Sequence, residues 1–245
     1  MRYFLELQYD GTSYSGWQRQ PHADSIQENL EIRLSNILDQ PIEITGCGRT
    51  DKGVHAHQYF AHMDVSKTLD DHFLFRLNNY LPPDIAVRKI IPVSDTAHAR
   101  FDAIQRTYQY KVHFNKNPFL KKYSLYYQKS KSFSLSTLNT FAASLTKYSN
   151  FKSFAKFHSD VRHHGCQLKS CVWEASPDGF TLRITSDRFL RGMVRLIVGA
   201  SLRFAEGKIS LDDLDLAMES GEQIKAPWAV PAHGLSLIRI DYPYL

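Results

Sequence analysis

The sequence of 245 residues is poor in cysteine and has no long apolar run. Its three cysteines, Cys47, Cys166 and Cys171, form neither a CxxC pair nor an even set, which argues against a zinc ribbon and a disulfide framework. No apolar stretch approaches the length of a membrane span, and Glu6 interrupts the N-terminus before a signal segment can develop. We therefore expect a soluble, cytoplasmic protein with reduced thiols and no membrane contact.

Acidic residues are in modest deficit. The chain has 30 Lys and Arg against 25 Asp and Glu, a formal charge of +5 and a pI near 9.0. A hydrophobic content of 43% is enough for one large core or two small ones. Together with 13% aromatic residues, the basic excess suits a polyanion with stackable bases, although this charge alone does not establish nucleic-acid binding.

The first half of the chain predicts the element order βαββαβ. A strand over 2–10 places Leu5, Leu7 and Tyr9 on one side. A capping box from Ser25 to Glu28 precedes a helix that runs to about residue 38. The remaining predicted elements are a strand over 42–45, a strand over 59–64, a helix over 70–80 that two prolines stop, and a strand over 85–91.

The second half predicts a similar series of elements. It comprises a strand over 106–114, a helix over 135–148, strands over 167–174 and 180–186, helices over 190–206 and 211–219, and a strand over 235–240. We interpret the fold as α+β, with two ferredoxin-like halves that meet near residues 99–105. The halves are 1–102 and 103–245, and we expect them to dock rigidly around a groove, because no low-complexity linker separates them.

The segment from Gly48 to His55 is the most informative in the chain. It places Asp51 between the cations Arg49 and Lys52 in a glycine-rich turn. Opposite charges favour the ionised acid, and glycine permits backbone conformations that suit close approach to a ligand. We interpret Asp51 as a nucleophile; the alternative is a surface turn with a solvated Arg–Asp pair.

The loop from Tyr14 to Gln20 mixes aromatic, amide and cationic side chains. Trp17, Gln18 and Arg19 are suited to contact the backbone of an RNA. A buried Trp17 that anchors the loop is an equally good interpretation.

Three histidines, His55, His57 and His62, resemble a zinc ligand set. In a strand, His55 and His57 share a face while His62 lies on the opposite one, so the pattern argues against a metal site. The pair His163 and His164 indicates a polar loop near the RNA surface or a subunit contact.

Short motifs occur in a consistent order over nearly the whole chain. They are Tyr9-Asp10-Gly11, Tyr14, Gly16-Trp17-Gln18-Arg19-Gln20, Gly48-Arg49-Thr50-Asp51-Lys52-Gly53-Val54-His55-Ala56, His98-Ala99-Arg100-Phe101, Arg106 with Tyr108 and Tyr110, Met193-Val194-Arg195, Ile197-Val198-Gly199 and Asp241-Tyr242-Pro243. The set resembles the tRNA pseudouridine synthase A family. The chain departs from the family pattern at Lys52 and at Arg191-Gly192.

This resemblance implies that the chain isomerises uridine to pseudouridine in the anticodon stem-loop of tRNA, at positions 38–40, without cofactor or metal. It assigns the nucleophile to Asp51, the cation paired with it to Arg195, and an RNA wedge or phosphate contact to Arg49. Tyr108 becomes the ring beside the target uracil, although on pattern alone it is one more inward-facing core aromatic.

The resemblance also implies a pseudouridine synthase fold, in which both halves form a continuous, mainly antiparallel sheet with helices on one side and a central active-site cleft. A homodimer with tRNA as its partner is expected. Further RNA contacts are expected at Lys52, His55 and Arg100, besides those of the Trp17 loop.

Two other functions compete with this interpretation. A catalytically silent RNA-binding module would explain the charge and the aromatic residues, but Asp51 would weaken its grip on phosphates. A metal-dependent hydrolase would require a metal shell or a nucleophile–base pair, and the sequence pattern indicates neither.

Overall fold

The computed structural model describes residues 1–156 and 163–245. It is a mixed α+β structure with two compact units. Unit 1 comprises residues 1–104 and 236–245, and unit 2 comprises residues 105–235. In the described part of the chain, no helix is both long and apolar enough to cross a membrane.

Residues 1–156 and 163–245 form nine strands and five α-helices. The strands are β1 (Arg2–Tyr9), β2 (Ile44–Gly46), β3 (His55–Asp64), β4 (Ile85–Val93), β5 (Gln105–His113), β6 (Leu125–Tyr126), β7 (Leu168–Ser176), β8 (Gly179–Ser186) and β9 (Leu235–Asp241). The helices are α1 (Ile26–Leu38), α2 (Phe73–Tyr80), α3 (Leu135–Ser144), α4 (Met193–Ala205) and α5 (Leu211–Ser220).

Unit 1 is built around β1, which runs antiparallel to both β3 and β4. The short β2 pairs with β3, and β9 joins β3 in parallel through the register pairs His55–Ser236 and Ala56–Leu237. The predicted alternation of β1 is confirmed, since Leu5, Leu7 and Tyr9 are all buried. The core also includes Ile26, Leu30 and Leu34, which recur at helical spacing along α1.

The element order predicted for the first half is confirmed, whereas several boundaries differ. Strand β3 begins at His55 rather than at residue 59, because pairing with β1 and β9 extends it into a polar stretch. Helix α2 begins at Phe73 rather than at residue 70. The Asp70 carboxylate accepts a hydrogen bond from the backbone of His72 and binds Arg76, which holds the preceding residues in a turn.

Unit 2 contains a mostly antiparallel sheet in which β8 lies between β5 and β7. The two-residue β6 adds to β5 in parallel. The largest fully buried side chains of unit 2 include Tyr110, Phe141, Phe154 and Trp173. Cys47, Cys166 and Cys171 are buried and are not joined in disulfides.

The second half differs from its predicted element series: β6 is an additional strand, α3 ends at Ser144 rather than at residue 148, and the last strand and α4 also differ. The sequence pattern places the last strand with the second half, whereas residues 236–245 cluster with unit 1 and β9 pairs with β3. Helix α4 begins at Met193 rather than at residue 190. Gly192 has a φ of 77°, and a left-handed residue cannot continue a right-handed helix.

Candidate active site

Asp51 lies in the loop between β2 and β3, residues 47–54, which we call the Asp51 loop. The backbone N–H of Val54 donates to the carbonyl oxygen of Asp51 at 3.1 Å, and Gly53 takes a φ of 79° inside this tight turn. Asp51 is half-buried, Thr50 is buried, and Arg49 is exposed. This alternation turns Thr50 inward and leaves Arg49 and Asp51 on the outer side, as expected for an extended segment.

Three aromatic residues, Tyr9, Trp17 and Tyr59, pack against one another and support the Asp51 loop. We call them the aromatic clamp. Trp17 stacks on Tyr59 with ring centroids 4.0 Å apart, and Tyr9 lies 5.7 Å from Tyr59. The Tyr59 hydroxyl donates to the carbonyl oxygen of Gly48, and the hydroxyls of Tyr9 and Thr50 are 2.9 Å apart. The clamp thus holds the loop by side-chain bonds to two of its residues.

Glycine at position 16 allows a neighbouring loop to approach the Asp51 loop closely. Gly16 has a φ of 102°, and a Cβ atom there would lie 2.4 Å from the carbonyl oxygen of Thr50. That same carbonyl accepts a hydrogen bond from the backbone N–H of Trp17 at 3.2 Å. A side chain at position 16 would therefore displace the segment that carries Asp51.

His55 fastens the end of the Asp51 loop to the turn after β1. The residue is 4% exposed, and its Nδ1 atom lies 3.0 Å from the Asp10 carboxylate and 3.1 Å from the backbone nitrogen of Gly11. The predicted RNA contact at His55 is therefore corrected, because the ring is enclosed by these partners. Trp17 is only 3% exposed, so the anchoring interpretation of its loop replaces the RNA-contact one.

The remaining candidate RNA contacts of unit 1 lie at or near the surface. Gln18 is half-buried, while Arg19, Lys52 and Arg100 are exposed. The Arg19 guanidinium lies 3.4 Å from the carboxylate of Glu28, which partly neutralises its charge. These side chains remain accessible to a polyanion.

Tyr108 and Tyr110 point to the same face of β5 in unit 2, because they are two residues apart in a strand. Tyr108 is half-buried, and its ring meets Phe189 edge-on at a centroid distance of 5.2 Å. Tyr110 is fully buried, and its hydroxyl donates to the carbonyl oxygen of Pro231 at 2.8 Å. Tyr108 is thus the more accessible of the two rings.

Arg195 occupies the third position of α4 and is half-buried. Its Nε atom donates to the carbonyl oxygen of Val230 at 2.6 Å, which fixes the plane of the guanidinium. Burial raises the pKa of the Tyr110 hydroxyl, and the positive charge of Arg195 opposes this rise. Arg195 therefore lies within electrostatic reach of the face of β5 that carries Tyr108.

Gly199 was not predicted to be a supporting residue of the site. A Cβ atom at this position would lie 1.8 Å from the carbonyl oxygen of Trp228, so only glycine lets α4 lie against the segment that holds Arg195 in place. The sequence signal is a glycine inside an otherwise apolar helix, which often marks close packing.

The histidines considered as zinc ligands have separate environments. His55 contacts Asp10, and His57 is exposed. The Nδ1 atom of His62 accepts a hydrogen bond from the backbone of Ala99 at 3.1 Å. Burial, with a contribution from the charge of Arg2, lowers the pKa of His62 to about 4. Within residues 1–156 and 163–245, no three His, Cys, Asp or Glu side chains form a group that could hold a metal ion.

His163 lies beside Arg188 in unit 2. The distance from its Nε2 atom to a terminal guanidinium nitrogen is 2.8 Å. The location of His163 and His164 near an RNA surface or at a subunit contact stays a prediction.

Comparison with known proteins identifies the family to which this chain belongs. The family model described as tRNA pseudouridine synthase matches residues 7–102 and 148–243. The chain therefore belongs to the tRNA pseudouridine synthase family, a class of isomerases that convert uridine to pseudouridine in tRNA.

Individual relatives carry the more specific name tRNA pseudouridine synthase A. The protein of that name from Porphyromonas gingivalis is 41% identical to this chain, over 99% of this chain and 97% of its own. Those from Bacteroides fragilis and Synechocystis are 42% and 35% identical, over 99% and 98% of this chain and 96% and 89% of their own. The resemblance noted in the sequence motifs is thereby confirmed.

Proposed function

We propose that this protein isomerises uridine to pseudouridine in the anticodon stem-loop of tRNA, at positions 38–40, with Asp51 as the nucleophile. The observation that carries the proposal is the support of the Asp51 loop by the aromatic clamp and by the close approach of Gly16. A carboxylate held in one position before substrate arrives loses little freedom on reaching the transition state.

In the proposed reaction, the ionised Asp51 carboxylate attacks either the ribose C1′ or the uracil C6. The bond between N1 and C1′ breaks, the uracil turns, a new bond forms between C5 and C1′, and the bond to Asp51 breaks, which regenerates the carboxylate. C5 loses a proton and N1 gains one, so the product is an isomer of the substrate and needs no redox partner. Both routes require an anionic nucleophile and a site that excludes water, since water would capture the sugar.

We assign three further roles in this reaction. Arg195 pairs with Asp51 and keeps it ionised, which is supported by the fixed plane of its guanidinium on Val230. Tyr108 stacks on the target uracil, and its half-buried ring on β5 suits that role. Arg49 occupies the space that the extruded base leaves in the RNA helix, or holds a phosphate, as its exposed position allows.

The proposal includes the family architecture. Two ferredoxin-like halves, predicted as residues 1–102 and 103–245, would carry Asp51 on the first and Arg195 and Tyr108 on the second; the last ten residues of the second half, 236–245, cluster with unit 1. The strand order β4-β1-β3-β2 in unit 1 supports this assignment for the first half. We further propose that the enzyme works as a homodimer in the cytoplasm, where its tRNA substrate resides.

The test is release of tritium from tRNA labelled at C5 of uridine. Wild type should release tritium, and Asp51→Asn should release it at least about 10³-fold more slowly, because the variant lacks the anionic nucleophile. Asp71→Asn, a matched change at an exposed carboxylate, should behave like wild type.

Binding of tRNA is measured in parallel, so that loss of turnover is not mistaken for loss of affinity. Equal release by wild type and Asp51→Asn would contradict the role of Asp51. Tight tRNA binding by a wild type that releases no tritium would instead favour the silent RNA-binding module.

A further inference from the structure

The chain contains a long stretch without acidic residues. Between Asp102 and Asp160 there is no Asp or Glu, whereas ten Lys and Arg residues occur there. Since the chain has 30 basic and 25 acidic residues in total, the rest of it has twenty basic residues against all twenty-five acids. The positive charge of the protein is thus concentrated in one part of its sequence.

Within this stretch, residues 115–131 connect β5 to α3, and we call them the basic–aromatic segment. It is ordered by contacts with the neighbouring strand, because β6 pairs with Val112 and His113 of β5. The Ser124 hydroxyl lies 2.9 Å from Nδ1 of His113, and Ser124, Leu125 and Ser130 are buried. These contacts hold the backbone of the segment in place, so that its exposed side chains start from defined positions.

The outer side of the segment carries large aromatic rings that are exposed to solvent. Phe119 is 88% exposed, and Tyr123 and Tyr126 are each 45% exposed. The Tyr126 ring also stacks on His113, with centroids 5.5 Å apart. Several exposed rings on one ordered segment are typical of an interaction surface.

Exposed lysines alternate with these rings. Lys116, Lys121 and Lys122 are exposed, and Lys121 and Lys122 lie directly between Phe119 and Tyr123 in the chain. Lys129 is also exposed, and its Nζ atom lies 3.8 Å from the carboxylate of Glu206. Exposed positive charge therefore lies next to the exposed aromatic rings along this segment.

We propose that the basic–aromatic segment is a tRNA-binding surface, on which the lysines contact phosphates and the Phe119 ring stacks on an unpaired base. The proposal rests on the proposed function, which supplies tRNA as the substrate. Cationic side chains track the RNA backbone, and aromatic rings stack on bases that are not paired.

A second copy of the chain is a less suitable occupant. A two-fold contact of this segment with its counterpart would bring the lysines of both copies together, and like charges repel. The segment has no carboxylate of its own to offset that repulsion. The charge of the surface therefore favours a polyanion.

The first experiment compares Lys121→Gln/Lys122→Gln with the control Lys67→Gln/Lys169→Gln, which removes the same charge from exposed sites elsewhere. The affinity for tRNA is measured by fluorescence anisotropy over a range of KCl concentrations. The test variant should bind about ten-fold more weakly, and the slope of log affinity against log salt should fall by about one to two. The control variant should change neither quantity.

The second experiment compares Phe119→Ala with Phe75→Ala, another exposed phenylalanine in an ordered element. Phe119→Ala should bind tRNA about ten-fold more weakly without a change in the salt slope, because it removes stacking and no charge. The single-turnover rate at saturating tRNA should stay within about two-fold of wild type in all four variants, since none of these residues belongs to the proposed site.

Wild-type affinity and salt slope in both test variants would overturn the proposal. A shift of Phe119→Ala toward a smaller species in sedimentation, with unchanged tRNA affinity, would overturn it in favour of a subunit contact. If wild type forms no pseudouridine while the test variants still lose tRNA affinity, the proposed function fails and the RNA-binding surface stands.

Discussion

The two units present their candidate site residues in different ways. In unit 1, Asp51 lies on a loop whose shape depends on the aromatic clamp and on Gly16. In unit 2, Tyr108 lies on a strand and Arg195 on a helix, where backbone hydrogen bonds already fix the main chain. The difference teaches that the position of Asp51, the proposed nucleophile, depends on supporting residues from other segments, whereas the main chain at its proposed partners is held by regular secondary structure.

This comparison has an energetic basis. A loop has few backbone hydrogen bonds of its own, so side chains must hold it in one conformation against the entropy of alternatives. Here Tyr9 and Tyr59 bond to residues of the loop, and Trp17 packs against Tyr59. Changes to these supports should affect catalysis although none of them touches the substrate in the proposed reaction.

The largest effect in this comparison is expected from Arg195→Ala, which removes a functional group of unit 2. The single-turnover rate should fall about 10² to 10³-fold, because in the proposed mechanism Asp51 and the developing charge lose the cation assigned to them. The affinity for tRNA should change by less than about ten-fold. Quench-flow measurement of pseudouridine formation and anisotropy with tRNA give the two quantities.

Arg195 also donates to Val230, so stability must be measured beside activity. Arg195→Lys, which keeps the charge but not the planar guanidinium, should recover part of the rate. A normal single-turnover rate in Arg195→Ala, together with a large loss of tRNA affinity, would show that Arg195 binds RNA and does not assist the nucleophile.

The loop of unit 1 is tested by Gly16→Ala, with Gly48→Ala as the matched control. The added Cβ at position 16 meets the Thr50 carbonyl at 2.4 Å in a left-handed conformation, whereas one at position 48 meets nothing within 4 Å. Gly16→Ala should lower kcat about 10²-fold by displacing Asp51, and strain should cost about 1 to 3 kcal/mol of stability. Gly48→Ala should stay close to wild type.

Thermal unfolding and tritium release, measured on both glycine variants, separate stability from positioning. If Gly16→Ala turns over as fast as Gly48→Ala while folded, the shape of the Asp51 loop does not depend on the close approach of residue 16. The proposed difference between the Asp51 loop, which depends on supporting side chains, and the strand and helix of unit 2, which do not, would then be wrong.

The smallest effect on turnover near neutral pH is expected from His62→Asn in β3, the strand that also carries Tyr59. Burial lowers the pKa of His62 to about 4, from an ordinary value of 6.5. Between these values the unfolded chain binds a proton that the folded chain does not, so the stability due to His62 is complete above about pH 6.5 and is lost as pH falls toward 4.

The measurement is the free energy of unfolding by urea across this range of pH. Wild type should lose stability faster than His62→Asn on acidification, by up to about 1.4 kcal/mol per pH unit. Asparagine can still accept from the Ala99 backbone, which limits the cost of the substitution at neutral pH. If the free energy of unfolding depends on pH in the same way in both proteins, a neutral, buried His62 is not the cause of the loss of stability on acidification.

Elements with strong periodicity were predictable from the sequence. The apolar residues of α1 recur at helical spacing, and Ser25 caps the helix by accepting from the backbone of Glu28. The start of β3 was not predictable, because His55 and His57 form no apolar alternation. Pairing with β1 and β9, which are remote in sequence, decides that boundary.

The candidate site also has some features that the sequence predicts and others that only the tertiary structure shows. The charge pattern around Asp51 was visible in the sequence, and so was the resemblance that assigns Arg195 and Tyr108. The interpretation of Trp17 stayed open between RNA contact and anchor, since a local pattern cannot show whether a ring faces inward. Its stacking on Tyr59 decides the question in favour of the anchor.

The sequence by itself determined the basic and aromatic character of the chain, its family and the identity of the acidic residue in the glycine-rich turn. Only the tertiary structure decided which neighbours of Asp51 are supports and which are exposed. The physical reason is that burial and close packing arise between segments far apart in the chain. Gly16 is conformationally demanding, for example, only because the Thr50 carbonyl lies against it.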